Sequence, residues 1–205
     1  MNGEVVAVLL AGGLSRRMGG QDKMLRDLGG QSILARVIAR VKPQVGRLLL
    51  NANGDPARFA EFGLPVAADV VGDHSGPLAG VLTGMEWARA NVPDCSWVLT
   101  APTDAPFLPC DLVQRLVTAV DREGADMACA SSGGRHHPVC GLWPVRLVDE
   151  LRRAMLEEDI RKVDIWTGRY KLSVVDWPVE PVDPFFNANR PEDLAEAARI
   201  LAEAG

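Results

Sequence analysis

The stretch Glu4–Leu10, EVVAVLL, constrains this chain more than any other. After Glu4 it is apolar and rich in β-branched residues, with no alternation between apolar and polar positions. A strand wet on one face alternates, whereas a strand buried on both faces reads as a continuous apolar run. Such a strand belongs in a parallel sheet covered by helices on both sides. Arg47–Asn51 (RLLLN) and Ser96–Ala101 (SWVLTA) repeat the pattern, and Leu64–Ala67 is a shorter candidate.

Helical patterns separate these runs. Ser32 is placed to cap a helix over Ile33–Lys42, with Ile33, Leu34, Val37, Ile38 and Val41 on one face. Pro43 falls where that helix should end. Asp55–Phe62 reads as a short helix. The turn-rich Gly72–Gly80 leads into a helix through Leu82, Met85 and Trp87 to about Ala90. Further on, Asp111–Val120 is amphipathic, Ala125–Ala130 and Pro138–Trp143 read as strands, and Val145–Glu157 and about Asp159–Thr167 as helices. Lys171–Asp176 alternates, which suits a strand near a sheet edge. Pro191–Ala204 reads as a closing helix. Strands alternating with helices predict an α/β fold: a three-layer α/β/α, Rossmann-like arrangement around a mostly parallel, mixed sheet. The 205 residues carry no repeat or long linker, so one domain is expected.

Folds of this kind bind ligands beyond the carboxyl ends of their strands. The loops that matter therefore follow Leu10, Asn51, Ala67 and Ala101. The first reads Leu10-Ala11-Gly12-Gly13-Leu14-Ser15-Arg16-Arg17-Met18-Gly19-Gly20-Gln21-Asp22-Lys23. Its glycines permit a close backbone approach to a ligand, and exposed N–H groups in such a turn make an anion-binding concavity. Arg16, Arg17 and Lys23 oppose one acid, Asp22, in a chain whose net charge is -5. The loop lacks the Gly-Lys-Ser/Thr of a kinase-type phosphate loop and the Gly-x-Gly-x-x-Gly of a dinucleotide fingerprint. The overall acidity argues against nucleic acid or an anionic membrane as partner. Cys95, Cys110, Cys129 and Cys140 form no CxxC pair, as expected of reduced thiols in a cytoplasmic protein. No apolar run approaches the roughly 20 residues of a membrane-spanning helix.

LAGGLSRRMGGQDK resembles the signature loop of the molybdenum cofactor guanylyltransferases, within the wider group of sugar-phosphate-type nucleotidyltransferases. Gly12-Gly13 and Asp22-Lys23 are similar to the guanylyl branch, since related cytidylyltransferases usually show Leu-Ala-Ala-Gly. Further stretches resemble the same family in order: Asn51-Ala52-Asn53, Asp69, Gly76-Pro77-Leu78-Ala79-Gly80, Asp104-Ala105-Pro106-Phe107-Leu108-Pro109, His137-Pro138 and Phe185-Phe186-Asn187-Ala188-Asn189. The resemblance covers Leu10 to Asn189.

By position alone, Asp104 is either a magnesium ligand at the mouth of the sheet or a residue closing a turn. The resemblance implies the magnesium ligand. Asn51 and Asp69 end strands, where turn chemistry is the alternative to nucleotide contact. The resemblance implies nucleotide binding by Leu10, Ala11, Gly12, Gly13, Lys23, Asn51, Asp69 and Asp104. It implies acceptor binding by Arg17, Gly20, Asn187 and Asn189, and a catalytic set of Arg17, Lys23 and Asp104. Asn189 is otherwise a candidate cap for the last helix. Where the family usually has Thr, this chain has Arg190, which weakens that cap but adds a cation. Thr103 also departs from the Cys or Val usual before this Asp. His136 and His137 suit a metal site or a general base, but read better as structural residues at a strand entrance, and the five tryptophans as packing.

The reaction implied is transfer of GMP from GTP to molybdopterin with release of pyrophosphate, dependent on Mg²⁺. The nucleotide half is expected at about residues 1–107 and the acceptor half at about 108–205. A monomer is expected, with transient contacts to molybdopterin-delivering and molybdoenzyme-accepting proteins. Transfer of CMP to molybdopterin or of a nucleotide to a sugar phosphate, and a non-catalytic nucleotide-binding adaptor, are the competing readings.

Overall fold

The computed structural model describes residues 4–11, 23–72 and 76–203. Gly12, Gly13, Arg16, Arg17 and Gly20 lie outside the described residues. A seven-stranded sheet organises the chain: β1 (Glu4–Leu10), β2 (Arg47–Asn51), β3 (Val66–Ala67), β4 (Cys95–Pro102), β5 (Met127–Ser132), β6 (Arg135–Pro144) and β7 (Leu172–Trp177). Their order is β3-β2-β1-β4-β6-β5-β7. β1 pairs in parallel with β2 and β4, β2 with β3, and β5 with β7, while β6 runs antiparallel to β4 and β5. The sheet is thus mixed and mostly parallel, and β7, expected near an edge, is at one.

Among the described residues six α-helices complete the layers: α1 (Ile33–Val41), α2 (Pro77–Asn91), α3 (Leu112–Glu123), α4 (Val148–Glu157), α5 (Val163–Thr167) and α6 (Pro191–Glu203). Val6, Val8 and Leu10 of β1 face Leu78, Leu82 and Met85 of α2, in a core continued by Leu151 of α4 and Trp166 of α5. Ala7 and Leu9 face the other way, onto Leu34 and Val37 of α1 and Leu112 and Leu116 of α3. This two-sided burial is why β1 has no polar position after Glu4. Each fully buried Leu or Met contributes roughly 1.5–3 kcal/mol. A smaller core of Leu28, Ile33, Phe107, Ala188 and Ala197 seats α6. Among the described residues no helix is long and apolar enough to cross a membrane.

Local chemistry sets the helix ends. Ser32 Oγ accepts the Ala35 N–H at 3.1 Å, capping α1 as expected. The Asp55–Phe62 helix is a 3₁₀ segment, Pro56–Phe62. The helix expected from about Asp159 begins only at Val163, because Asp159 takes a left-handed φ of 54°. α2 is buried without a break from Leu78 to Met85 and rests against the sheet through two glycines. A Cβ at Gly84 would lie 2.5 Å from Val8 Cγ2, and one at Gly80 would lie 2.5 Å from Asn51 Oδ1. α6 lacks a side-chain acceptor at Arg190, the residue before its first turn. Instead Asp193 Oδ2 accepts the N–H groups of Asn189 (2.8 Å) and Arg190 (2.7 Å), which is half of a reciprocal capping box.

Two stability changes follow, both measurable by urea denaturation. Gly84→Ala overpacks the contact with Val8 and is expected to cost about 1–3 kcal/mol; an unchanged midpoint would mean that α2 has room to spare. Arg190→Thr supplies the missing cap and is expected to add about 0.5–1 kcal/mol; destabilisation would show that the Arg190 side chain supports the fold.

Candidate active site

A cavity of about 750 Å³ opens at the carboxyl ends of β1, β2 and β4. Leu10 and Ala11 form part of its rim. The Ala11 N–H donates to Asn51 O at 2.9 Å, and Thr103 Oγ1 donates to Leu10 O at 3.3 Å. These bonds tie together the exits of the first, second and fourth strands. Thr103, unusual by the resemblance, thus holds the turn in front of Asp104.

Asp104 sits two residues beyond β4. Its carbonyl accepts the Ala188 N–H at 2.9 Å, which draws the 185–189 segment to the cavity. Lys23 Nζ donates to Asn189 Oδ1 at 2.5 Å and to Asp104 Oδ2 at 3.4 Å. The side chains of Lys23 and Asp104 remain 19% and 26% exposed, so a ligand in the cavity can reach both. Asn189 spends its carbonyl on Lys23 rather than on capping α6. Asn187 lines the same wall, and its side-chain amide has no partner among the described residues. Residues predicted from three distant parts of the sequence therefore meet here.

Asn51 and Asp69 form a second cluster. Asn51 is only 3% exposed, because α2 lies over it at Gly80. Its amide donates to Ala67 O at 3.2 Å and to Asp69 Oδ1 at 3.0 Å, which uses both of its hydrogens. Asn53 donates to Asp69 Oδ2 at 2.8 Å and accepts the Asp69 N–H at 2.8 Å. Thr83 Oγ1 on α2 accepts the Val70 N–H at 3.1 Å. Asp69 is thus a carboxylate aimed and buttressed on several sides, with oxygen lone pairs left over. Asn51 acts on it from behind. Asn53 completes this cluster; it was not among the expected site residues, although the family-like stretch Asn51-Ala52-Asn53 contains it.

Among the described residues no group of three or more potential metal ligands occurs. One exposed carboxylate, Asp104, nevertheless fits a magnesium ion, which commonly takes one or two carboxylates and fills its remaining positions with phosphate and water. The cavity wall also carries Arg135 and Arg190, whose guanidinium groups find no partner among the described residues. Cys140 lines the cavity too. Burial, and secondarily the nearby Asp104, push its thiol well above the ordinary range, so it is no nucleophile. Burial, partly opposed by Asp183, pulls the His137 imidazole below its ordinary value. Trp97, Trp143, Trp166 and Trp177 are buried in the cores, as packing residues.

Comparison with known proteins identifies the family. Residues 7–169 match the model of the MobA-like NTP transferase domain. A molybdenum cofactor guanylyltransferase of Rhodopseudomonas palustris (strain BisB5) is 62% identical over 95% of this chain and 92% of its own. One from Nitrobacter hamburgensis is 59% identical over 95% and 93%. In structure, the molybdopterin-guanine dinucleotide biosynthesis protein A of Archaeoglobus fulgidus superposes with a TM-score of 0.71 at 25% identity, over 97% of this chain and 99% of its own. Identity of this extent, spread over nearly the whole length of both chains, means that this chain belongs to the MobA-like NTP transferase family and, within it, to the molybdenum cofactor guanylyltransferases.

Proposed function

We propose that this protein transfers GMP from GTP to the terminal phosphate of molybdopterin, in a magnesium-dependent reaction that releases pyrophosphate. The observation that carries the reading is the meeting of Lys23, Asp104 and Asn189 at the rim of the mixed sheet. It supplies a cation for phosphate, a lone carboxylate for a hard divalent ion, and an amide from the second half of the chain.

The acceptor is a phosphate monoester, whose second ionisation is nearly complete at neutral pH. One of its oxygens attacks the α-phosphorus of GTP, the bond from that phosphorus to the bridging oxygen breaks, and pyrophosphate leaves with the electron pair. No strong base is needed. The task is to bring two polyanions together and align them. Asp104 would hold the magnesium ion, whose chemistry is to neutralise charge on the phosphates and the leaving group. Lys23 would swing from Asn189 onto the triphosphate as a point charge. Arg17, Gly12 and Gly13 would cradle the nucleotide phosphates, with Arg17 and Gly20 also facing the acceptor. Asp69 accepts hydrogen bonds only, so it suits the ribose hydroxyls or the N–H groups on the guanine edge. Asn187 and Asn189 would hold the acceptor, with Arg135 and Arg190 balancing its charge.

Pyrophosphate release from GTP, Mg²⁺ and molybdopterin is the test. Stoichiometric pyrophosphate and dinucleotide are expected from the native protein and little after chelation with EDTA. Asp104→Ala and Lys23→Ala are each expected to lose about 10²–10³ in rate. Near-normal turnover by Asp104→Ala at saturating Mg²⁺ would remove the metal from that residue.

Nucleotide choice is read separately by thermal shift. GTP with Mg²⁺ at about 100 times its dissociation constant should add roughly 2.7 kcal/mol of stability. CTP, ATP and UTP at the same concentration should add much less. Stabilisation by CTP alone would exchange the guanylyl reading for a cytidylyl one.

A further inference from the structure

His137 has no part in the chemistry above, yet it is built into the cavity wall with unusual care. Its Nε2 lies 2.8 Å from Ser132 Oγ, across the hairpin formed by β5 and β6. Ser132 Oγ lies 2.8 Å from Asp183 Oδ1, and Asp183 Oδ1 also accepts the Phe185 N–H at 2.9 Å. The His137 ring stacks on Phe185, with centroids 4.6 Å apart and planes 24° apart. Phe185 is in turn packed edge-on by Trp177 at 5.5 Å, and Trp177 Nε1 donates to Asp111 at 3.0 Å. The ring is therefore fixed in plane and in orientation.

Counting hydrogens settles which nitrogen carries one. A carboxylate carries no hydrogen, so the single hydrogen of Ser132 must go to Asp183. The contact between Ser132 Oγ and His137 Nε2 then requires a hydrogen on Nε2. A neutral imidazole protonated there keeps a lone pair on Nδ1. Burial favours the neutral form, and the charges of Arg135 and His136 act in the same direction, against Asp183. Nδ1 has no partner among the described residues, and none of their buried side-chain nitrogens or oxygens is left unpaired. Nδ1 therefore reaches open space from a residue that lines the cavity.

The ligand at this point is constrained by sheet order. Asn51 and Asp69 lie at the ends of β2 and β3, whereas His137 is on β6. From β2 to β6 there are three strand spacings, about 14 Å. A nucleotide base held by Asp69 does not reach His137, and the phosphates that follow it carry no hydrogen to give an acceptor, so the second substrate is the partner left for Nδ1. We infer that His137 Nδ1 is a fixed hydrogen-bond acceptor that reads a ring N–H or amino donor on the pterin of the acceptor substrate, with Ser132 and Asp183 as positioning residues. This rests on the acceptor reading given above.

The test uses the full chain labelled with ¹⁵N-histidine, its imidazole signals assigned by substitution. The native protein should show the Nε2–H tautomer for His137, and Ser132→Ala should lose that bias. Added molybdopterin should shift the Nδ1 signal, while GTP with Mg²⁺ should leave it in place. His137→Phe keeps the stack on Phe185 and should raise the KM for molybdopterin about tenfold, the loss of one hydrogen bond. Its affinity for GTP should stay within a factor of about two. An Nδ1–H tautomer in the native protein, or an unchanged KM in His137→Phe, overturns the inference. If the native protein makes no product at all, the proposed reaction fails instead, and the tautomer and the response of Nδ1 to the pterin still decide the role of His137.

Discussion

One ammonium group joins three distant parts of the chain at the mouth of this molecule. Lys23 reaches from the end of the first loop to Asp104, beyond the fourth strand, and to Asn189, before the last helix. The other supports, from Thr103 to Leu10 and from Ala188 to Asp104, place the chain so that this contact forms. A lysine between a carboxylate and an amide is partly exposed and replaceable. A phosphate can take the ammonium, and a divalent ion can take the carboxylate, without breaking any bond that the fold needs. The same three groups can thus meet one another across the cavity mouth and release themselves to a charged ligand.

Rigidity behind that rim comes from close packing. α2 approaches the sheet nearer than a side chain would allow, at Gly80 and Gly84. That approach buries Asn51, which then turns its amide hydrogens toward Ala67 and Asp69. A packing constraint in the core is in this way converted into the aim of a carboxylate in the cavity. On the other side of β4, the Ser132–Asp183 bond does the same for His137 and Phe185.

Much of this was legible from sequence for one physical reason. Strands buried on both faces carry no polar residues, so β1, β2 and β4 stood out, and the loops at their carboxyl ends followed. Where strands carry polar residues the reading shortened them. Ser131, Ser132, His136 and His137 look like loop, yet Gly133 and Gly134 adopt positive φ and let β5 and β6 run to a tight turn. The His137–Ser132–Asp183 chain spans about fifty positions and leaves no local pattern, although polar residues flanking a Gly-Gly turn were a hint. Asn51 was legible as a site residue but not as a buttress, since that depends on a glycine in a helix above it. The late start of α5 escaped because an Asp tolerates a left-handed backbone better than most residues but adopts it too seldom for Asp159 to announce it.

A crystal structure with GTP and Mn²⁺ tests the central claim most directly, because the anomalous signal locates the ion directly. The account predicts an ion within about 2.0–2.2 Å of an Asp104 carboxylate oxygen, also bound to the triphosphate, with Lys23 Nζ moved from Asn189 onto phosphate. A triphosphate bound away from Asp104 and Lys23, or an ion with no contact to Asp104, would contradict it.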